Sequence, residues 1–179
     1  NYHNKTVLVT GHTGFKGSWL SAWLVSLGAK VIGYSIDIPT EPDHFKLLEL
    51  DMVDIRADIR DKTKLKEVVE TYQPEFIFHL AAQPIVSTSY SDPLETLSTN
   101  ILGTATMLEV LKEINYDCTA IMITSDKCYH NVEWVWGYRE NDRLGGKDIY
   151  SASKAGAEII YHAYFESFLK NSSVKTATV

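Results

Sequence analysis

Short apolar runs rich in β-branched residues alternate along this chain with longer stretches whose apolar positions recur every three or four residues. A strand buried on both faces gives the first pattern, and a helix packed by one face gives the second. The runs at 5–10, 30–34, 53–58, 76–79 and 119–124 predict five strands. Helical spacing predicts helices at about 17–27, 61–72 and 93–114, and a long one from about 149 to 169. Strands and helices in strict alternation mark βαβ units, so the predicted class is α/β, a Rossmann-type doubly wound parallel sheet. Residues 174–179 read as a sixth strand with no helix after it. A sheet of this kind normally continues, so the expectation is a fold truncated within that strand, with 1–179 as the N-terminal part of a longer protein.

The helix at 93 has a legible start. Asp92 can cap it, Pro93 suits the first turn where no N–H is needed, and Glu95 completes the spacing of a capping box. Leu97, Ile101, Leu108 and Leu111 then form a stripe expected to pack on the sheet.

With 179 residues, 45% of them hydrophobic, the chain can bury the core of one domain. Its net charge of −6 and the lack of a basic cluster argue against a nucleic-acid partner. Cys118 and Cys128 fit no metal-ligand spacing and read as free thiols of a reducing compartment, so no metal site is expected. The first residues carry no basic stretch or cleavage site, and no apolar run reaches the ~20 residues that span a bilayer. A cytoplasmic protein without membrane contact is the expectation.

Directly after the first strand stands Gly11-His12-Thr13-Gly14-Phe15-Lys16-Gly17, with a helix starting at its end. Glycines in that setting let the backbone turn, let a pyrophosphate approach its N–H groups and let helix and strand pack closely. The helix end adds about half a positive charge. Asp37, after the second strand, stands where a carboxylate can accept hydrogen bonds from a ribose. No Arg occurs between residues 35 and 45 to greet a phosphorylated ribose, which favours NAD. Asp58 and Ile59 are candidates for the edge and face of adenine. Leu80, Ala81, Ala82 and Gln83 leave the fourth strand with small residues that permit close approach of a cofactor.

Tyr150 and Lys154 lie four apart at the start of the long helix and project from one face. A tyrosine acting as base near neutral pH must lose about three units from its usual pKa of ~10, roughly 4 kcal/mol. An ammonium at ~6 Å supplies about 3 kcal/mol at an effective dielectric of 20. Thr124-Ser125-Asp126-Lys127, at the end of the fifth strand, shares the same rim of the sheet, and Ser125 is placed to hydrogen-bond the substrate oxygen.

The glycine loop, the Ser125 strand end and the Tyr150/Lys154 helix, in this order, resemble the extended short-chain dehydrogenase/reductase family throughout the chain. Gly14-Phe15-Lys16-Gly17-Ser18-Trp19-Leu20, Thr124-Ser125-Asp126-Lys127-Cys128-Tyr129 and Gly137-Tyr138-Arg139-Glu140-Asn141-Asp142, with Tyr150-Ser151-Ala152-Ser153-Lys154-Ala155-Gly156-Ala157-Glu158, narrow the resemblance to its nucleotide-sugar 4,6-dehydratases. The resemblance implies a bound NAD, a nucleotide-sugar substrate with CDP-glucose favoured, and a homo-oligomer. It implies that Tyr150, Lys154 and Ser125 oxidise C4, that Asp126 protonates the departing C6 oxygen, and that Lys127 serves the elimination where relatives carry Glu. The candidate cofactor contacts are Gly11, Thr13, Gly14, Phe15, Lys16, Gly17, Asp37, Asp58, Ile59, Leu80, Ala81, Ala82, Gln83, Thr99, Thr124, Tyr150 and Lys154. Ile149 departs from a proline common before the tyrosine, which is expected to alter only the helix entry. A 4-epimerase would share the loop and the Tyr/Lys pair but needs no acid and base for elimination, so Asp126 and Lys127 favour the dehydratase. An NAD-sensing protein on the same fold would normally lack the tyrosine.

Overall fold

The computed structural model describes residues 2–179; Asn1, the first residue of the expected domain, lies outside them. Six parallel strands, β1 (Thr6–Thr10), β2 (Lys30–Ser35), β3 (Val53–Arg56), β4 (Phe76–His79), β5 (Cys118–Met122) and β6 (Val174–Thr178), lie in the order β3-β2-β1-β4-β5-β6. Alternate side chains of each strand enter different cores. Val7, Val9 and Val31 join Leu24 on one face, while Leu8, Ile32, Ile77 and Ala120 pack on the other with Leu65, Val68, Met107, Leu108 and Leu111. Burying each large aliphatic side chain there contributes about 1.5–3 kcal/mol.

Helix α1 (Phe15–Ser26) supplies Leu24 to the first face. Helices α3 (Lys62–Tyr72), α6 (Gly103–Glu113) and α7 (Ile149–Tyr164) supply the second. Two short helices were not foreseen, α2 (His44–Leu48) and α4 (Val86–Ser91), because five or six residues are too few to show a helical period. A further short helix, α5 (Pro93–Leu97), precedes α6.

The helix expected at 93–114 is interrupted. A π turn over Ser98–Leu102 joins α5 to α6, and a second π turn, Phe165–Leu169, ends the long helix begun by α7. Asp92 does cap α5, accepting from Glu95 N at 3.0 Å. The reciprocal arm of the box is not made: the Glu95 carboxylate takes Arg60 and Thr99, and Asp92 N donates to the Thr88 carbonyl. Strands β3 and β5 stop two residues earlier than expected, which leaves Asp58 and Thr124 in loops. Ile149 opens α7 behind an Asp148 cap, so the helix entry is made by a side chain instead of a proline.

The switch in strand order falls between β1 and β4, where chain leaves the sheet in opposite directions and opens a crevice at the carboxyl ends.

Candidate active site

The loop 11–17 fills that crevice. Gly11 has φ +73°, in the left-handed region, and a Cβ there would stand 2.8 Å from Ala81 N. A Cβ on Gly17 would collide with the Gly11 carbonyl. At Gly14 a Cβ would press on the Gly11 oxygen at 3.3 Å, so this position too is held close to the turn. No side chain caps α1 and no acid occupies its first turn, so its first N–H groups and positive end face the crevice. These features fit a pyrophosphate. Phe15, 77% exposed, and Lys16 flank the opening.

Two side chains brace the loop from beneath. Thr13 Oγ1 donates to the Asp37 carbonyl at 2.6 Å. The buried His12 ring lies over Gly33, with Nε2 2.9 Å from Asp54 and Nδ1 3.0 Å from Ser35 Oγ. Burial pushes the His12 pKa down, against an opposing pull from Asp54. His12 was missed because the glycines alone were read as the motif.

Asp37 is exposed, two residues beyond the end of β2. An arginine nevertheless reaches it: Arg56 Nη1 donates to the Asp37 carbonyl at 3.0 Å. A scan of residues 35–45 could not find Arg56, because it arrives through the β2–β3 register that pairs Ser35 with Arg56. Its guanidinium is held by Asp54 at 2.7 Å and lies 5.5 Å over the Phe45 ring.

The Asp58 carboxylate is engaged on both oxygens by Arg60, whose backbone N, Nε and Nη2 donate to it. Arg60 holds the Asp58 carboxyl below its usual range. An adenine amine would share those oxygens with Arg60. Ile59 is 5% exposed and packs on Gly103. At the exit of β4, Leu80 N bonds the Thr10 carbonyl and Ala81 N the Thr10 hydroxyl, which ties the segment to β1 beside Gly11. Ala82 follows half-buried. The Gln83 side chain is used locally, donating to Thr96 and accepting from Ile85 N. Thr99 donates to Glu95. The buried Asn100, unforeseen, joins these parts: its oxygen accepts from Gln83 N at 2.8 Å, and its amide nitrogen donates to the Gln83 carbonyl and to Ser153 Oγ at 2.8 Å.

Beyond β5, Ser125 and a turn of 3-10 helix, Asp126–Cys128, lead away from the sheet with Asp126 and Lys127 exposed. Thr124 does not point freely into the crevice; its hydroxyl donates to Glu158 on α7, a residue given no role from the sequence. Tyr150 and Lys154 are 8% and 7% exposed, and Lys154 Nζ lies 6.0 Å from the centre of the Tyr150 ring. The lowering of the phenol does not follow within the chain itself: burial pushes the Tyr150 pKa up, a hydrogen bond with Ser125 opposes this, and Asp126 and Asp148 add to the rise. Burial and the charge of Lys16 push Lys154 down to about 8. Lys16, Lys127 and Lys154 make no ion pair among the described residues. These lysines bring positive charge to a crevice that also holds Asp126 and Asp148, within a chain of net charge −6. Both cysteines are buried and free, and no group of three potential metal ligands occurs among the described residues.

The strand order and glycine cradle are those of a Rossmann-type domain. The chain belongs to the GDP-mannose 4,6 dehydratase family, which it matches over residues 8–175. It is 51% identical over 169 residues to CDP-glucose 4,6-dehydratase of Salmonella typhimurium, covering 93% of this chain and 47% of that protein. A probable dTDP-glucose 4,6-dehydratase of Sinorhizobium fredii is 31% identical over 85% of this chain and 47% of its own length. The chain thus spans about half the length of these relatives. Among solved structures, UDP-glucose 4-epimerase of Thermus thermophilus in complex with NAD superposes with a TM-score of 0.81 at 25% identity, over 97% of this chain and 53% of that one. No helix among the described residues is long and apolar enough to cross a membrane.

Proposed function

We propose that this chain is the dinucleotide-binding domain of an NAD-dependent nucleotide-sugar 4,6-dehydratase that converts CDP-glucose to CDP-4-keto-6-deoxyglucose. The observation that carries the reading is the juxtaposition of Tyr150 and Lys154 on one face of α7 with the Ser125-Asp126-Lys127 turn. The relative of 51% identity, whose name is that activity, supports the choice of nucleotide.

Bound NAD would take a hydride from the sugar C4 and return it to C6. The loop 11–17 and the open end of α1 would hold its pyrophosphate, and Asp37 its adenosine ribose. Tyr150 Oη takes the proton of the C4 hydroxyl while Ser125 Oγ hydrogen-bonds the same oxygen. The Lys154 ammonium, with Nζ 6.0 Å from the centre of the Tyr150 ring, favours the phenolate over the neutral phenol. Asp126 gives a proton to the departing C6 oxygen, and Lys127, as the neutral amine, removes the C5 proton. The remaining length of the enzyme grips the nucleotide, and the protein works as a homo-oligomer in the cytoplasm, where Cys118 and Cys128 stay reduced.

Product analysis of the complete protein with CDP-, dTDP-, UDP- and GDP-hexoses tests the reading. A 4-keto-6-deoxy product from CDP-glucose is expected. The observation favouring a second reading, a 4-epimerase, is the structural match to epimerases; a C4 epimer with no loss of water would establish it instead. In the dehydratase, Lys127→Ala should leave NADH visible in a single turnover while dehydrated product falls at least tenfold, about 1.4 kcal/mol in barrier.

A further inference from the structure

Behind Lys154 lies an enclosed cavity that the reaction above does not use. His79, Asn100, Thr104, Thr124, Lys154 and Tyr161 contribute to its wall, and about 10 Å³ of it is open to the centre of a water molecule. That is room for a single water. His79 is 3% exposed, and its Nδ1 lies 2.9 Å from Thr10 Oγ1. Thr10 is itself fully buried, and its hydroxyl already accepts the Ala81 N–H at 3.1 Å. A hydroxyl has one proton to give, and His79 Nδ1 is the acceptor within its reach. Assigning that proton to Nδ1 puts the ring proton on Nε2.

That Nε2–H has no partner among the described residues, and Lys154, whose charge is felt at His79, lines the same cavity. A buried N–H that faces a cavity requires an acceptor there. We propose that a buried water molecule accepts a hydrogen bond from His79 Nε2 and another from Lys154 Nζ, which makes His79 a positioning residue for Lys154. Its own protons have acceptors on the wall. Thr104 Oγ1, which donates to the Asn100 carbonyl, and Thr124 Oγ1, which donates to Glu158, each keep a lone pair. Burial, with a contribution from Lys154, pushes the His79 pKa down to about 3, so the ring is a neutral donor throughout the working range. The other groups around Lys154 are Lys16 from α1, Cys128 from the turn after β5, and Tyr150 and Glu158 one turn either way along α7. None of them supplies the acceptor that the water does.

The inference rests on Lys154 serving Tyr150 as proposed above. Activity then needs a protonated Lys154, and loss of the water's anchor should let the ammonium titrate earlier. In the full-length, NAD-loaded enzyme, NADH formed from CDP-glucose in a single turnover is followed against pH. His79→Phe should move the alkaline limb down by at least half a pH unit, and His79→Gln, which keeps an N–H near the Nε2 position, should restore it. A packing role predicts the reverse ranking, because Phe fills the site and Gln buries an unneeded amide. Nitrogen-15 NMR of the histidine-labelled full-length protein should show His79 protonated on Nε2. A ring protonated on Nδ1, or an alkaline limb unmoved by Phe, overturns the proposal. If the wild-type protein forms no NADH with any nucleotide sugar, the dehydratase reading fails. The tautomer, and a crystallographic water within hydrogen-bond distance of both nitrogens, then decide the cavity's role on their own.

Discussion

Lys154 gains its chemistry from an environment that costs the fold stability. Its pKa, pushed from 10.5 down to about 8, means that between those values the folded chain holds fewer protons than the unfolded one. Stability therefore rises with pH through that window, and the penalty is fully present below about 8. Lys154→Met, similar in length and without charge, should stabilise the cofactor-stripped protein by about 1–3 kcal/mol at pH 7 and abolish hydride transfer. The gain should shrink as pH climbs towards 10.5, where the wild-type lysine sheds its proton. Urea unfolding of both proteins at pH 7 and pH 10 checks this, and a variant less stable at pH 7 would refute it. Asp37 offers a second test at this scale. Its carboxylate would repel a ribose phosphate, whereas Arg56, bonded to its carbonyl, would attract one. Asp37→Ala should weaken NAD binding and narrow the preference for NAD over NADP at least tenfold, read by titrating both cofactors. Equal binding of the two cofactors by the wild type would remove Asp37 from the ribose.

Among the elements, the π turn at Ser98–Leu102 ties the two halves of the crevice together. It presents Asn100 to Gln83 at the exit of β4 and to Ser153 on α7, between Tyr150 and Lys154. Asn100→Ala leaves the Gln83 backbone and Ser153 short of three hydrogen bonds in buried or part-buried surroundings. A loss of about 2–4 kcal/mol in stability is expected, together with a lower kcat at little-changed NAD affinity. Thermal unfolding and steady-state kinetics measure the two effects, and a drop in NAD affinity alone would contradict the assignment. Such a turn was not legible in the sequence, since one inserted residue leaves the stripe of Leu108 and Leu111 intact and only shifts its phase. The strands were legible, because Val7 and Leu8 must satisfy two different cores and so read as a continuous apolar run. The glycine loop and the Tyr150/Lys154 pair were legible through contiguity or helical spacing. His12, Asn100, Arg56 and Glu158 were not, because each acts through a partner distant in sequence that only the sheet register or helix packing brings near.

At the scale of the whole molecule, the proposed function asks a chain of net charge −6 to admit an anionic dinucleotide and an anionic nucleotide sugar. The average field opposes both, so the local field must reverse it. Seven of the other ten lysines are neutralised in ion pairs, whereas Lys16, Lys127 and Lys154 are not. Lys16 stands at the open end of α1, and its charge is felt at Lys154. Such a site should bind by a salt-sensitive attraction of short range. Raising ionic strength from about 0.05 to 0.5 M shortens the screening length from roughly 14 to 4 Å. Over that range NAD affinity should fall about three- to tenfold. Lys16→Gln keeps the reach of the side chain but removes the charge; it should bind NAD more weakly at low salt and show a clearly flatter salt dependence. Calorimetric titration at several salt concentrations measures both slopes. If the variant were as salt-sensitive as the wild type, the attraction would belong to the helix end and the other lysines, and Lys16 would be reduced to lining the opening.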